Sequence, residues 1–435
     1  MARLFVAGLG IATEGATQIH LRKSIKTPVA GRRGVDFHAR IFTFSTSVYK
    51  YYLSFFVYTP LVKTLKLTIP GAPTNWNASS YMDKTHPLLK EWKVVVNTPL
   101  KKADAWFVCE DLENDQDNCE IPKGMLLLGS AETSYNSDWI ISNQEVMSFY
   151  LQFDFVYTFN SFNTENSTAS IPFLPWMSHA NHGPSIFSQP SFFKIMHSEP
   201  NILGKQKRIA LICSDQELTS GHRSRKFFAQ NLVQKLGDYV DWYGNGVHKI
   251  PTKNEAYAKY QYSVVLENQS RNFVLTEKLG DAFLGLTYPF YWGAPNADVF
   301  FNSRGFEQID IINFDKTISQ IENALAEDRF LDSIKHIKEN RNRTLYDNNF
   351  LHRILGIVAD RYQTLGSEVE KSNAQVESIS FLRKTFGHSR SKLISKLLFL
   401  LRNLDEKLDT NLAPLANEAH VLLMNNPLSR KWRAK

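Results

Sequence analysis

The chain has 435 residues, enough for two or three domains at about 150 residues each and for a large core that needs no metal or disulfide staple. A hydrophobic share of 43% against 21% charged residues excludes wholesale disorder. The 50 Lys and Arg outnumber the 43 Asp and Glu to leave +7, which permits an anionic ligand or a membrane surface but is too mild to demand nucleic acid.

The first 60 or so residues are basic and irregular, with Gly-Arg-Arg-Gly at 31–34, and read as an extension. They lack the long apolar region and small-residue cleavage site of a signal peptide. The most apolar stretch, 43–62, is interrupted by Lys50 and by several Ser, Thr and Tyr, and no uninterrupted run reaches the ~18 residues of a spanning helix. Three cysteines, Cys109, Cys119 and Cys213, make no metal-type spacing. Cys109 and Cys119 flank one acidic loop and could bridge, but reduced thiols are the expected state. Four N-x-Ser/Thr triplets, at Asn77, Asn166, Asn268 and Asn342, are within chance for this length.

From 65 onward the pattern is α/β. LKLTIPG (65–71), KVVVN (93–97), ADAWFVCE (103–110), GMLLLGSAE (124–132) and FDFVYTF (153–159) are short apolar strands bounded by turn residues or helix-length polar segments, as in a parallel sheet. The Pro-rich segment 171–190 reads as a linker. A second α/β unit begins at KRIALICSD (207–215) and continues through helix 224–237, strand 239–244, helix 254–261, strand 263–268, helix 276–286 and strand 288–293. Beyond about 316 the chain reads as mostly helical. Two such units facing each other leave a cleft at their strand C-termini, where α/β folds bind ligands. Neither unit has a G-x-G-x-x-G or G-x-x-x-x-G-K-[ST] loop, which argues against a dinucleotide enzyme of the usual type and a P-loop NTPase.

The most informative stretch is 264–301. Thr276 sits where a helix N-cap belongs, and that helix start with Lys278 offers positive potential for a diphosphate. Glu277 could hold diol hydroxyls. The bland alternative is a capped surface helix with a solvated lysine. Taken in order, Glu267-Asn268, Thr276-Glu277-Lys278-Leu279, Asp281-Ala282-Phe283 and Pro289-Phe290-Tyr291-Trp292-Gly293-Ala294-Pro295 resemble the α-1,3-fucosyltransferase family, glycosyltransferase family ten. The family's hallmark is a phenylalanine-glutamate-asparagine-serine strand end, a tyrosine-x-threonine-glutamate-lysine helix start and a proline-x-x-x-glycine strand. The match is specific over about 50 residues, and Phe306 with IDIINFD (309–315) fits the continuation. Here Val274 replaces the tyrosine, and Leu266 and Gln269 replace the phenylalanine and serine.

The resemblance, which covers neither the extension nor the tail, implies two Rossmann-like domains facing a cleft, the type B glycosyltransferase architecture: an acceptor-side domain 65–195 and a GDP-sugar domain 196–350. The residues themselves add the extension 1–64 and a helical C-terminal tail 351–435. The resemblance also implies an inverting, metal-independent transferase that takes L-fucose from GDP-fucose to an oligosaccharide acceptor, with no cofactor and no obligatory metal. Arg225 is the best match to the arginine that opens the first helix of the donor domain, with Arg223 as neighbour, and a guanidinium fork suits a diphosphate. His248 and Lys249 occupy the place of a diphosphate-binding arginine. With Glu267, Asn268, Thr276, Glu277 and Lys278 they make up the expected donor site. Glu132, in GSAETSY (129–135), resembles the family's glutamate-serine-proline element and is the expected general base, within about 2.6–3.2 Å of the acceptor hydroxyl. Glu110 and Asp111 compete for that role, but the loop through Asp117 is acidic enough to read as solvated surface.

In the tail, Leu393, Leu397, Leu400, Leu401, Leu404 and Leu408 form one stripe of a helix at 389–408. From residue 366 onward, 12 basic residues face 7 acidic ones. Such a helix can lie on an anionic membrane, pack on the catalytic domains or pair with a second copy. The reading is therefore a cytoplasmic protein, at most peripheral to a membrane, with a Golgi-type anchor through 43–62 as the alternative. Rival functions are the same scaffold with another nucleotide sugar, or a catalytically silent glycan-binding protein. No nucleic-acid partner is expected.

Overall fold

The computed structural model describes residues 62–78, 82, 85–130, 144–158, 167–169, 198–217, 220–366 and 369–386, together with strands at 10–12, 38–46 and 49–57. The expected linker 171–190, the Glu132 loop and the leucine-striped helix 389–408 lie outside the described residues. The chain divides into two compact units, Met1–Lys63 and Thr64–Lys435.

The first unit holds β1 (Gly10–Ala12), β2 (His38–Thr46) and β3 (Tyr49–Val57) in an antiparallel sheet of order β1-β3-β2. Most of the stretch weighed as a membrane anchor is thus paired strand. Among the described residues, no helix is long and apolar enough to cross a membrane.

The second unit carries two parallel sheets, which bears out the expected α/β class. The first sheet contains β4 (Lys63–Thr68), β5 (Trp92–Val96), which follows the one-turn helix α1 (Pro87–Glu91), and β6 (Ala105–Cys109). Then come the outlying β7 (Gln116–Pro122), β8 (Leu126–Ser130), helix α2 (Gln144–Tyr150), β9 (Phe155–Thr158) and β10 (Ser167–Ala169). Its order is β10-β9-β8-β6-β4-β5, parallel from β10 through β4. Both faces are covered, which is why AWFVC and LLLGS are apolar without alternation. On one face Leu65, Leu67, Phe107 and Leu127 pack with Leu351, Ile354, Leu355 and Val358 of helix α8 (Phe350–Leu365). On the other, Trp106, Val108, Leu126 and Leu128 pack with Val146 and Phe149.

One polar stretch departs from its sequence reading. Residues 116–122 form strand β7, paired antiparallel with β16 (Lys371–Glu377), so the chain after 366 is not wholly helical. Asp117 lies 2.6 Å from Nζ of Lys66, which is 2% exposed and sits 3.9 Å from the Trp106 ring centre. The acidic segment therefore neutralises a buried lysine. Helix α9 (Ile379–Phe386) follows, and its first amide donates to Asp111 Oδ1 at 3.1 Å. All three cysteines are free. Burial pushes each thiol pKa up, which leaves them poor nucleophiles.

The second sheet contains β11 (Gln206–Ile212), helix α3 (Ser220–Leu236), β12 (Val240–Tyr243), helix α4 (Lys253–Tyr257), β13 (Tyr260–Leu266), helix α5 (Glu277–Leu284), β14 (Tyr288–Trp292) and β15 (Glu307–Gln308). Helices α6 (Phe314–Ala326) and α7 (Arg329–Asn342) complete it. The order is β12-β11-β13-β14-β15, all parallel. The chain steps from β11 outward to β12, then crosses back to β13 on the other side of β11. That reversal opens a crevice beyond the C-terminal ends of β11 and β13, the usual ligand position in an open α/β sheet.

Candidate functional site

A cavity of about 300 Å³ occupies that crevice. Cys213 and Ser214 border it after β11, Leu266 at the end of β13 and Asn268 just beyond it, His222 and Arg225 from the first turns of α3, and Glu277 and Lys278 from the start of α5. The first turn of α3 comes against the end of β13 so closely that a Cβ on Gly221 would lie 1.7 Å from the Asn268 carbonyl oxygen. Only glycine lets the two backbones meet there.

Glu267 is fully buried and gathers the motif around itself. The amide of Thr276 donates to its Oε1 at 2.8 Å and the Thr276 hydroxyl to its Oε2 at 2.8 Å. Lys278 Nζ donates to Oε2 at 3.0 Å and to the Thr276 hydroxyl at 2.8 Å. Thr276 does occupy the N-cap of α5, but its side chain serves Glu267 and makes no cap hydrogen bond. Glu267 thereby fixes the direction of Lys278 at the cavity rim.

Arg225 is 5% exposed. Its Nη1 donates to the Leu266 carbonyl at 3.2 Å, while its buried Nε has no partner among the described residues. A buried guanidinium N–H without an acceptor costs free energy that an anionic ligand would recover.

Lys253 joins the same corner from α4, donating to Glu277 Oε1 at 2.9 Å and to the fully buried Asp281 Oδ2 at 2.8 Å. Burial disfavours its charge, but Asp281 and Glu277 more than offset that, so its pKa lies above the ordinary lysine range. Burial likewise works against ionisation of Glu277, yet Lys253 and then Lys278 hold its carboxyl below the usual range. His222 is half-buried, and burial, Arg225 and Lys278 lower its pKa.

Of the residues expected from sequence, Arg225, Asn268, Glu277 and Lys278 meet at this cavity, with Glu267 and Thr276 directly behind Lys278. His248 and Lys249 are exposed and do not line it. His248 lies edge-on to Tyr243 at 5.4 Å, and Lys249 borders a separate void of about 40 Å³ that shares Gly244, Asn245 and Lys253 with the main cavity. Arg223 is exposed, its Nη1 3.3 Å from the Glu217 carbonyl. Glu132 lies outside the described residues. Its competitor Glu110 has a left-handed backbone, φ 65°, and accepts a 2.8 Å hydrogen bond from the buried Ser130 hydroxyl. Sequence reasoning missed Lys253 and His222: neither stands in a motif, and only the fold carries them to Glu277 and Arg225.

A parallel α/β sheet with a crevice beyond its strand ends at the reversal point, bordered by Arg225 and Lys278, is the general form of a nucleotide-binding fold. Comparison with known proteins is more specific. The chain is 35% identical over 75 residues to an α-(1,3)-fucosyltransferase of Helicobacter pylori, which bears out the family resemblance. That match spans 17% of this chain and 16% of the bacterial enzyme's length. No family model matches the chain. Among solved structures, an α1,3-fucosyltransferase with GDP aligns over 70% of this chain and 91% of its own, at 16% identity and a TM-score of 0.41. The same kind of enzyme with GDP-fucose aligns over 72% and 92%, at 17% identity and 0.39. An α-glucosyltransferase in complex with UDP and a 13-mer DNA containing an HMU base aligns over 68% and 100%, at 8% identity and 0.40.

Proposed function

We propose that the protein is an inverting glycosyltransferase that moves L-fucose from GDP-fucose to a hydroxyl of an oligosaccharide acceptor, in α-1,3 linkage to an N-acetylglucosamine or glucose unit. The observation that carries this reading is the cavity at the sheet reversal, where the orphaned Nε of buried Arg225 and the anchored Lys278 border one space. Two fixed cations suit a diphosphate, and Glu277 at the same rim suits a ribose or sugar diol. The local match to a bacterial α-(1,3)-fucosyltransferase supports fucose as the sugar.

In the proposed reaction Glu132 removes the acceptor proton while the acceptor oxygen attacks the anomeric carbon from the face opposite the diphosphate. The bond from that carbon to the β-phosphate oxygen breaks, and GDP leaves with the electron pair. Arg225 and Lys278 stabilise the charge that grows on the leaving group, and no divalent ion is required where enough cationic side chains converge. Incubation of the purified protein with GDP-fucose and a panel of N-acetyllactosamine-type and simple sugar acceptors tests the whole reading. Fucosylated product supports it. Binding of glycans with no turnover of any donor would instead identify a silent glycan-binding protein.

Val274, fully buried where the family has a tyrosine, favours a second reading in which the donor is another nucleotide sugar. Transfer from such a donor, and none from GDP-fucose, selects it.

A further inference from the structure

The charges around the cavity nearly cancel. Arg225, Lys253 and Lys278 are set against Glu267, Glu277 and Asp281, with Lys253 and Lys278 in direct contact with those carboxylates. A diphosphate entering this space meets well-placed donors but no formal surplus of positive charge, unlike a simple basic patch. His222, on the cavity wall one turn from Arg225, is the group there that can add a charge near neutral pH.

We propose that His222 is a third cationic ligand of the donor's diphosphate, beside Arg225 and Lys278, and that its imidazole takes up one proton from solvent when the nucleotide binds. The inference rests on reading the cavity as a nucleoside-diphosphate site.

The surroundings of His222 support it. Burial comes first, then Arg225 from its own helix and Lys278 from α5, and all three disfavour the imidazolium. From β13, Glu267 lies behind Lys278 and is committed to it, and from α4 Lys253 is committed to Glu277 and Asp281. Elsewhere on α3, Lys226 is paired with Glu217, and Arg223 is exposed. After β11, the Cys213 thiol is held neutral by burial, and Asp215 lies against the Gly246 turn. The carboxylates bordering the cavity are thus largely engaged by lysines, while burial first, then Arg225 and Lys278, lower the pKa of the ring. A dianionic diphosphate between Arg225 and Lys278 reverses that balance, favours the imidazolium and gains a charge-assisted hydrogen bond.

The test is calorimetry with GDP-fucose, whose fully esterified diphosphate does not titrate near neutrality, in buffers of differing ionisation enthalpy. Above neutrality the wild-type protein should take up a fraction of a proton, one at most, on binding, and its affinity should fall with rising pH by up to about tenfold per pH unit. His222→Gln, with an unchanged melting temperature, should bind with no proton uptake and no pH slope. His222→Lys, whose amine ionises at higher pH than an imidazole, should keep its affinity to a more alkaline pH than the wild type. Wild-type binding with no proton uptake, or uptake that persists in His222→Gln, overturns the proposal and leaves the donor-site reading intact. Failure of the folded wild-type protein to bind either GDP-fucose or GDP overturns both.

Discussion

Lys278 Nζ and the carboxylate of Glu267, eleven residues apart in sequence, meet at 3.0 Å, with the glutamate wholly buried and the lysine 23% exposed at the cavity rim. Glu267→Ala leaves a lysine that is partly exposed and 3.8 Å from Glu277, and removes the acceptor for the Thr276 amide and hydroxyl, so it should destabilise the protein by about 1–3 kcal/mol in denaturant unfolding. In a double-mutant cycle with Lys278→Ala the two changes should be non-additive by roughly 0.5–3 kcal/mol. Strict additivity would mean the pair does not interact in solution.

Lys278→Ala should weaken GDP binding by about 1.5–3 kcal/mol, the worth of one hydrogen bond to a charged group. Glu277→Ala should weaken it as well by loss of the diol contact, and should destabilise the fold by leaving Lys253 with Asp281 alone. Parent-like GDP affinity in both variants, read by calorimetry, would remove α5 from the donor site. A chelator should leave activity nearly intact, and complete loss restored by added metal would refute the metal-free mechanism.

Gly293 closes the proline-x-x-x-glycine strand for a steric reason. A Cβ there would lie 2.1 Å from the Tyr291 hydroxyl and 2.6 Å from Cγ of Glu267. That hydroxyl accepts the Ala294 amide at 2.9 Å. Gly293→Ala should cost about 1–3 kcal/mol by overpacking and lower donor affinity through the displaced Glu267. A variant with parental melting temperature and affinity would contradict this account.

The second sheet was legible because its strands are apolar runs separated by helices of amphipathic spacing, so local sequence encodes the alternation. Arg225, Glu267, Asn268, Glu277 and Lys278 were legible because they occupy one motif or a matching helix start. Strand β7 was not. Gln116–Pro122 is polar, and its partner Lys371–Glu377 lies about 250 residues downstream, so no local periodicity reports the pairing. Lys253 escaped for the same reason: it lies 24 and 28 residues from the two carboxylates that explain it. His248 and Lys249 were drawn in by position in a resembling segment, and the turn that carries them leaves both exposed.

A buried lysine outside the cavity predicts a pH effect. Lys205 Nζ donates to the carbonyls of Tyr257, Tyr260 and Gly285, which ties together the end of α4, the start of β13 and the end of α5. Burial pulls its pKa down to about 7. Between about pH 7 and 10 the unfolded chain then binds a proton that the folded chain does not, so this group makes stability rise with pH across that window. Relative to the wild type, Lys205→Met should be destabilised, and its unfolding midpoint should gain less between pH 7 and 9.5. Parallel pH profiles would show that Lys205 stays charged in the fold.

The general base separates an enzyme from a binder. If Glu132 only accepts the acceptor's proton, Glu132→Gln keeps its shape but cannot take that proton. Turnover should fall about 10²-fold or more while GDP binding stays nearly unchanged. A folding defect would lower both, so melting must be followed alongside. Glu110→Gln is the control. Glu110 sits at a strand end with φ 65° and accepts the Ser130 hydroxyl at 2.8 Å, a contact the amide oxygen of glutamine can keep. Its activity should therefore stay close to the parent's. The opposite pattern, with Glu110→Gln inactive and Glu132→Gln active, would move the base to the end of β6. The strained backbone of Glu110 would then be the feature that aims the carboxylate at the acceptor.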